Sequence, residues 1–146
     1  MRHKAQLDDG SPNEGAEIGA VRLKKDALAR LLGIELLEIK PGYAVAVMKV
    51  TPDLLNGVGV AGGGAIFTLA DIAFAAASNA HGPVALAQNV NITFLRSTTE
   101  PAVLTATAIE EHLTKKTGVY RMEVRDESGD MVALAQGLVY RKNNLQ

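Results

Sequence analysis

The residue that fits its surroundings least in this chain is Asp71. It lies two turns into the apolar segment 63–80, which hydrophobic periodicity predicts to be a helix, so it is too far along to cap that helix. The residues one helical turn away include no cation: Phe67, Thr68, Phe74 and Ala75. Because burying an unpaired carboxylate is costly and raises its pKa, such a group favours a base or nucleophile in a cleft. The structural alternatives are an exposed helix edge or an ion pair with a distant arginine such as Arg96.

Three consecutive glycines, Gly62, Gly63 and Gly64, lead into the same helix. Backbone N–H groups at a helix N-terminus can hold an oxyanion or a phosphate, although a flexible turn is the structural alternative. The lysine and hydroxyl residue of a nucleotide phosphate loop are absent. Combined with Asp71, the glycines suit attack on a carbonyl: the N–H groups stabilise the oxyanion while the acid activates water or attacks directly. Both groups are expected to face one cleft.

Turn residues and hydrophobic periodicity predict the elements that position these groups. A short N-terminal helix is predicted over 23–32, ended by Gly33. The predicted strands are 34–40, 43–50, 84–96, 102–113, 118–126 and 131–141, with a turn at Pro41-Gly42 between the first two. One long helix against an antiparallel sheet is an α+β arrangement. Since that helix has almost no charged face, we expect a partner subunit to cover the side that the sheet does not.

Composition narrows the class of protein. A net charge of −1 gives no general attraction to nucleic acid or to an anionic membrane. The absence of cysteine excludes disulfides, a thiolate nucleophile and Cys-ligated zinc. The first residues are polar, and the most apolar run contains Asp71, so we predict neither a secretory signal nor a membrane span. These features predict a soluble cytoplasmic protein, with a flexible arm over 1–19 and a single domain over 20–146.

The segment Asn56–Asn79 resembles the hot-dog-fold thioesterases of the phenylacetic-acid-degradation type. That family's pattern is an Asn, a His-Gly-Gly six residues later, and an Asp nine residues after the His. Four residues of this chain match in register: Asn56, Gly63, Gly64 and Asp71. Later segments are similar to the family's later strands: 91–96, 104–108, 116–120 and 131–137. The resemblance covers roughly residues 34–141.

This resemblance implies a sheet wrapped around one central helix, in homodimers that often pair into homotetramers. It implies hydrolysis of an acyl-CoA thioester to a free acid and coenzyme A, without a cofactor, at sites on the dimer interface. By analogy, the Gly63 N–H polarises the thioester carbonyl and Asn56 makes a polar contact near it. Asp71 is the general base or nucleophile and acts together with residues of the neighbouring subunit.

Two positions depart from the family pattern. Gly62 stands where the family usually has a His, and Ala87 where relatives often have a Ser or Thr that orients water. Gln88 or Asn89 could replace that hydroxyl, although a shift of one residue changes the face of a strand. These departures motivate an alternative, a non-catalytic acyl-CoA-binding or regulatory hot-dog module. A purely structural dimer module is a third hypothesis.

Basic residues and histidines complete the candidate set. Arg96 and Lys116 suit the phosphates of coenzyme A, although solvated charges at strand ends and turns are the structural alternative. The histidines are far apart and lack clustered carboxylates, so no metal site is predicted: His3, His81 and His112. His81 is expected at the helix C-terminus, where its charge is favoured. Neither a Ser-His-Asp triad nor the Asp-to-His spacing of hot-dog hydratases is present.

Overall fold

A computed structural model describes residues 14–142 and has the predicted α+β hot-dog architecture. Its helices are α1 (Glu14–Lys24), α2 (Ala27–Leu32) and α3 (Gly63–Asn79), with a 3-10 turn at Pro52–Leu54. Its strands are β1 (Glu35–Lys40), β2 (Tyr43–Val50), β3 (Ala85–Phe94), β4 (Ala102–Leu113), β5 (Thr117–Arg125) and β6 (Met131–Arg141). They form one six-stranded antiparallel sheet in the order β1-β2-β4-β5-β6-β3.

The N-terminal region differs from the sequence prediction. The single helix predicted over 23–32 is interrupted at Asp26, whose backbone is extended (φ −79°, ψ 106°) and whose carboxylate accepts the Ala29 N–H at 3.0 Å. Aspartate is a favoured N-cap residue, so a new helix, α2, begins after Asp26 instead of α1 continuing. Gly33 ends α2 in the left-handed region (φ 71°), as predicted. Helix α1 includes residues 14–19 of the predicted arm, while residues 1–13 lie outside the described part of the chain.

The sheet curves around α3 and buries it against small residues. Nine inner-face side chains of β2, β4 and β5 are at most 1% exposed: Ala44, Ala46, Met48, Leu104, Ala106, Ala108, Tyr120, Met122 and Val124. The ring of Phe74 packs on the ring of Tyr120, with centroids 5.5 Å apart. Beneath Phe74, β6 carries Gly137, where an added Cβ would lie 2.5 Å from Phe74 Cζ. Glycine therefore allows the helix and the sheet to approach this closely.

One stripe of α3 is less buried than the rest of the helix. It consists of Gly64, Phe67, Thr68, Asp71 and Ala75, spaced three or four residues apart on one face. Helices α1 and α2 also pack against α3, and α1 contacts β1 as well. Within residues 14–142, α3 is thus covered in part by the chain's own N-terminal helices. The predicted partner subunit would have only the remaining stripe to cover.

Strand β3 forms an edge of the sheet, because it pairs with β6 alone. Residues 86–89 and Phe94 of this strand are exposed. An edge strand offers unpaired backbone groups to another strand. No helix in the described range is both long and apolar enough to cross a bilayer.

Candidate active site

Asp71 lies in the middle of α3 with its side chain half-buried. Within residues 14–142, its carboxyl has neither a hydrogen-bond partner nor an ion-pair partner, and Arg96 binds other carboxylates. Burial raises the pKa of Asp71, and the negative charge of Asp26 at the start of α2 raises it further. Of the two structural alternatives raised by the sequence, the ion pair with Arg96 is therefore absent, and the side chain at the helix edge is half-buried instead of exposed.

The N-terminus of α3 presents two unpaired donors. Gly62 is the N-cap residue, and its own N–H donates to the Leu54 carbonyl at 2.8 Å. The next two N–H groups, of Gly63 and Gly64, have no acceptor among the residues that the structure describes. The Ala65 N–H donates back to the Gly62 carbonyl at 3.1 Å, which closes the first turn. Two amides with the positive end of the helix dipole behind them are thus available to an oxyanion.

Phe94 at the end of β3 borders this helix terminus, which the sequence did not indicate. An added Cβ on Gly63 would lie 3.2 Å from Phe94 Cζ, so the aromatic ring packs against the glycine backbone. Around Gly64 there is open space, and the Thr68 hydroxyl one turn later donates to the Gly64 carbonyl at 2.8 Å. The donors therefore lie between an apolar ring and an open surface.

Asn56 holds the loop that leads into α3. Its side-chain oxygen accepts the N–H groups of Val58 (3.0 Å) and Val60 (3.2 Å), and a bridge between Leu55 and Ala61 closes the loop. The oxygen of this amide is therefore occupied within the loop. Its exposed NH2 group is the part that could make the predicted polar contact with a substrate.

The acid and the donors are separated along the helix. Asp71 follows Gly63 by eight residues, which corresponds to about 12 Å along the helix axis. An oxyanion donor and a general base each act within about 3 Å of the reacting atoms. The expectation that one cleft holds both groups is therefore not met by the Gly63 and Asp71 of a single subunit.

A β-bulge separates the polar candidates of β3. Ala87 pairs with Val139 and Asn89 with Leu138, so Gln88 is the extra residue in the ladder. The side chains of Ala87 and of its buried cross-strand neighbour Val139 lie on the face of the sheet that is turned toward α3. Asn89 lies on the opposite face of the sheet. Asn89 also accepts a hydrogen bond from Asn91 at 3.2 Å. In this arrangement Asn89 does not point toward α3, and Gln88 is the candidate that lies at the bulge itself; both side chains are exposed.

The two proposed phosphate-binding cations lie at opposite ends of the sheet. Arg96 is within 3.9 Å of Asp126 and 3.5 Å of Asp130, at the turn that follows β5. Lys116 immediately precedes β5, so nine strand residues separate the two regions, about 30 Å of extended chain. The side chain of Lys116 is exposed, and in residues 14–142 it has no partner. One subunit does not bring both cations to the same ligand.

His81 follows the C-terminus of α3, as predicted, and pairs with a carboxylate. Its Nε2 lies 2.6 Å from Glu110 Oε1, which also accepts the Tyr120 hydroxyl at 3.0 Å. Burial, followed by the charge of Glu110, raises the pKa of Tyr120. In the described part of the chain, no three His, Asp or Glu side chains converge as a metal site requires, and His3 lies outside that part.

The family model named Thioesterase superfamily matches residues 58–133, just over half of the chain, including the glycines and Asp71. The chain belongs to the thioesterase superfamily. A protein of Archaeoglobus fulgidus is 48% identical over 120 residues, covering 82% of this chain and 78% of its own length. The acyl-coenzyme A thioesterase PaaI of Escherichia coli is 42% identical over 118 residues, covering 81% and 84%.

Solved structures of this superfamily have the same architecture. The structure of the Escherichia coli PaaI protein, from the phenylacetic acid degradation operon, superposes with a TM-score of 0.86. It is 40% identical and covers 90% of this chain and 96% of its own. The TT0310 protein of Thermus thermophilus gives a TM-score of 0.78 at 41% identity, covering 81% and 99%. The resemblance based on the segment Asn56–Asn79 is therefore confirmed.

Proposed function

We propose that this thioesterase hydrolyses an acyl-CoA, giving a free acid and coenzyme A. Support comes from membership in the superfamily and from 42% identity to a protein named acyl-coenzyme A thioesterase. The observation that carries the mechanism is the half-buried Asp71 carboxyl, which has no partner in residues 14–142. We retain the cytoplasmic location and the absence of a cofactor as predictions from the sequence.

Asp71 acts as the general base on water. Because burial raises its pKa, its carboxylate accepts a proton more readily than an ordinary aspartate does. As the proton moves to Asp71, the water oxygen adds to the thioester carbonyl carbon. Direct attack by Asp71, forming an acyl anhydride, is the alternative step. Label in the Asp71 carboxyl after a single turnover in 18O-labelled water would establish direct attack, because only an anhydride that water opens at the Asp71 carbonyl carbon can place it there.

The Gly63 N–H stabilises the charge that this addition creates, with the Gly64 N–H as the neighbouring donor. The carbonyl oxygen becomes an oxyanion in the tetrahedral intermediate, and both amides are unpaired in the described structure. When the intermediate collapses, the C–S bond breaks and the thiolate of coenzyme A takes the proton from Asp71. The acid product and the free thiol account for all atoms of the substrate and water.

Two subunits supply one site. The separation of about 12 Å along α3 prevents the Asp71 and the Gly63 of one chain from serving the same carbonyl. We therefore pair the glycine donors of one copy with Asp71 of the partner subunit. The exposed edge strand β3 is the surface through which a homodimer would form, since it pairs with β6 alone. A homotetramer would join two such dimers.

The remaining contacts are assigned from the position of each side chain and from the partners that it already has. The free amide NH2 of Asn56 contacts the thioester region, and Gln88 at the bulge of β3 is preferred over Asn89 as the group that orients water. Lys116 is the preferred contact for a phosphate of coenzyme A, because Arg96 already has carboxylate partners. Gly62 positions the helix start through its bond to Leu54.

The test is release of free thiol from a panel of acyl-CoAs by wild type and Asp71→Asn. We expect kcat to fall about 100-fold or more in this variant, since general-base catalysis is worth that much. The matched control is Asp53→Asn, an exposed aspartate in the 3-10 turn, which should hydrolyse at the wild-type rate. Unchanged turnover in Asp71→Asn, with fold and oligomer intact, would refute the assignment.

A second candidate, a non-catalytic acyl-CoA-binding module, is favoured by two positions that lack polar side chains, Gly62 and Ala87. An added Cβ at Gly62 would meet only the Leu54 carbonyl, at an ordinary 3.5 Å, so the backbone itself would accept a side chain there. Coenzyme A binding by calorimetry, with no thiol release from any substrate, would establish this candidate. Failure to bind coenzyme A would favour a purely structural dimer.

A further inference from the structure

A cleft of about 240 Å³ lies between α1, the start of α2, α3 and the start of β3. Small or apolar side chains form its walls: Ala75, Ala76, Val84 and Leu86. Its polar groups belong to the N-terminal helices and to the end of α3: Arg22, Asp26 and Asn79. A concave, mainly apolar cavity with a few polar groups is typical of a small-molecule site.

This cleft begins next to Asp71. Ala75, in the wall, is four residues beyond Asp71, about 6 Å along α3 on the same less buried stripe. Asp26, also in the wall, is close enough for its charge to raise the pKa of Asp71. A thioester with its carbonyl at Asp71 would therefore have this cavity directly beside its acyl group.

Two contacts hold helix α1 against the end of α3, beside the cleft. Arg22 donates to the side-chain oxygen of Asn79 at 2.8 Å, two turns beyond Asp71. Near the start of α1, the Gly15 backbone packs against the Ala80 carbonyl so closely that an added Cβ would overlap that oxygen. A larger residue at position 15 would therefore force α1 away from the end of α3.

We propose that this cleft binds the acyl group of the substrate and that the docked α1 limits the length of that group. The inference rests on the proposed thioesterase function, since it places the carbonyl at Asp71. The volume is smaller than the roughly 300–1,000 Å³ of sites that hold drug-sized ligands, so it suits a short acyl group. The substrate class is therefore acyl-CoAs with a short, mainly apolar acyl group. A longer chain would have to break the hydrogen bond between Arg22 and Asn79.

The experiment measures kcat/KM over a series of saturated acyl-CoAs from acetyl to palmitoyl. In wild type, kcat/KM should fall about tenfold or more for each added methylene once the cleft is full. Gly15→Val and Arg22→Ala should raise the ratio of long-chain to short-chain kcat/KM about tenfold, because each releases α1. Lys24→Ala, at an exposed position on the same helix, should leave the profile unchanged. Identical chain-length profiles in all four proteins would overturn the proposal.

Binding of non-hydrolysable alkyl thioether analogues of coenzyme A, measured by calorimetry, separates this inference from the catalytic proposal. If no acyl-CoA is hydrolysed but affinity shows the same length limit and the same shift in the variants, the cleft assignment stands and the catalytic one fails. If hydrolysis depends on Asp71 but the α1 variants change neither the kcat/KM profile nor the affinity for long chains, the catalytic proposal stands and the cleft assignment fails. Should Gly15→Val fail to fold, as judged by circular dichroism, the comparison of Arg22→Ala with wild type tests the proposal.

Discussion

The two ends of α3 differ in how many of their polar groups find partners within the chain. At the C-terminal end, Asn79 joins the helix to β3 and to α1, and the Gly42 N–H donates to the Ala77 carbonyl at 3.1 Å. At the N-terminal end, the N–H groups of Gly63 and Gly64 have no acceptor in residues 14–142. Asp71, between the two ends, also lacks a partner there.

This contrast separates the part of the helix that holds the fold from the part available to a ligand. Buried polar groups without partners are costly, so a chain keeps few of them unless something else satisfies them. At the C-terminal end, the interactions of the chain with itself meet that requirement. At the N-terminal end and at Asp71, the partners come from outside residues 14–142: from solvent, a substrate or a second subunit. Substitutions at the two ends should therefore have opposite consequences.

The largest expected effect is at Asn79, which is 8% exposed. Its side chain donates to the carbonyls of Ala75 and Ala85 and accepts from the Ala85 N–H and from Arg22. Asn79→Ala should lower the free energy of unfolding by about 3 kcal/mol, because buried groups of Ala85 lose their partner. Urea denaturation measures this, with Lys24→Ala, at an exposed position of α1, as the control. A loss no larger than that of the control would contradict the anchoring role.

Gly137 offers a second way to disturb the buried part of α3. An added methyl would lie 2.5 Å from Phe74 Cζ, so Gly137→Ala should cost about 2 kcal/mol through overpacking. Thermal unfolding of this variant should be compared with Gly57→Ala, at a loop position with open space around it. The double variant with Phe74→Leu should recover part of the loss. Equal stability of Gly137→Ala and the control would show that the ring moves aside freely.

Local signals were sufficient to predict most of the fold. Alternating side chains and the Pro41-Gly42 turn predicted β2, β4 and β6 with their observed bounds. The break between α1 and α2 was missed, because one aspartate inside an amphipathic pattern looks like an ordinary solvent-facing residue. Asp26 ends the first helix only through its extended backbone and its bond to the Ala29 N–H.

The candidate site was predictable only where its chemistry is local in sequence. Asp71 and the glycines stand out from the residues around them, so sequence alone marks them as candidates. The ring of Phe94 against Gly63, and the Arg22–Asn79 hydrogen bond across 57 positions, exist only after folding. Asn56 shows the converse. Its position in the motif predicts a contact with the substrate, but its side-chain oxygen accepts two hydrogen bonds from its own loop. Contacts between distant segments carry no sequence signal of their own.

Gly64 should respond to alanine with the sign opposite to that of Gly137. Its surroundings are open, and alanine is favoured over glycine in a helix, so Gly64→Ala should stabilise the protein by about 0.5 kcal/mol. The N–H donor is retained, so kcat should change little unless the methyl meets substrate. Urea denaturation and thiol release measure both quantities. A loss of stability comparable to that of Gly137→Ala would mean that this end is as closely packed as the other.

The smallest expected effect is the pH dependence that Asp71 gives to stability. Burial and the charge of Asp26 raise its pKa in the folded state above the ordinary 3.8 of an unfolded chain. As pH rises from 3.8 through the raised pKa, the unfolded chain loses this proton first and binds fewer protons than the folded state. The free energy of unfolding therefore falls over that window, and the loss persists at higher pH.

Asp71→Asn should remove this slope. At about pH 7 and a fixed protein concentration, the variant should be more stable than wild type, and the difference should vanish below pH 3.8, where both states hold the proton. Thermal unfolding from about pH 3 to about pH 8 measures the difference, and Asp53→Asn should show none of it. A wild type more stable than Asp71→Asn at neutral pH would mean that the carboxylate has a stabilising partner. In that event Asp71 would have a partner, as the polar groups at the C-terminal end of α3 do. The contrast between the two ends of α3 would then not include the proposed base.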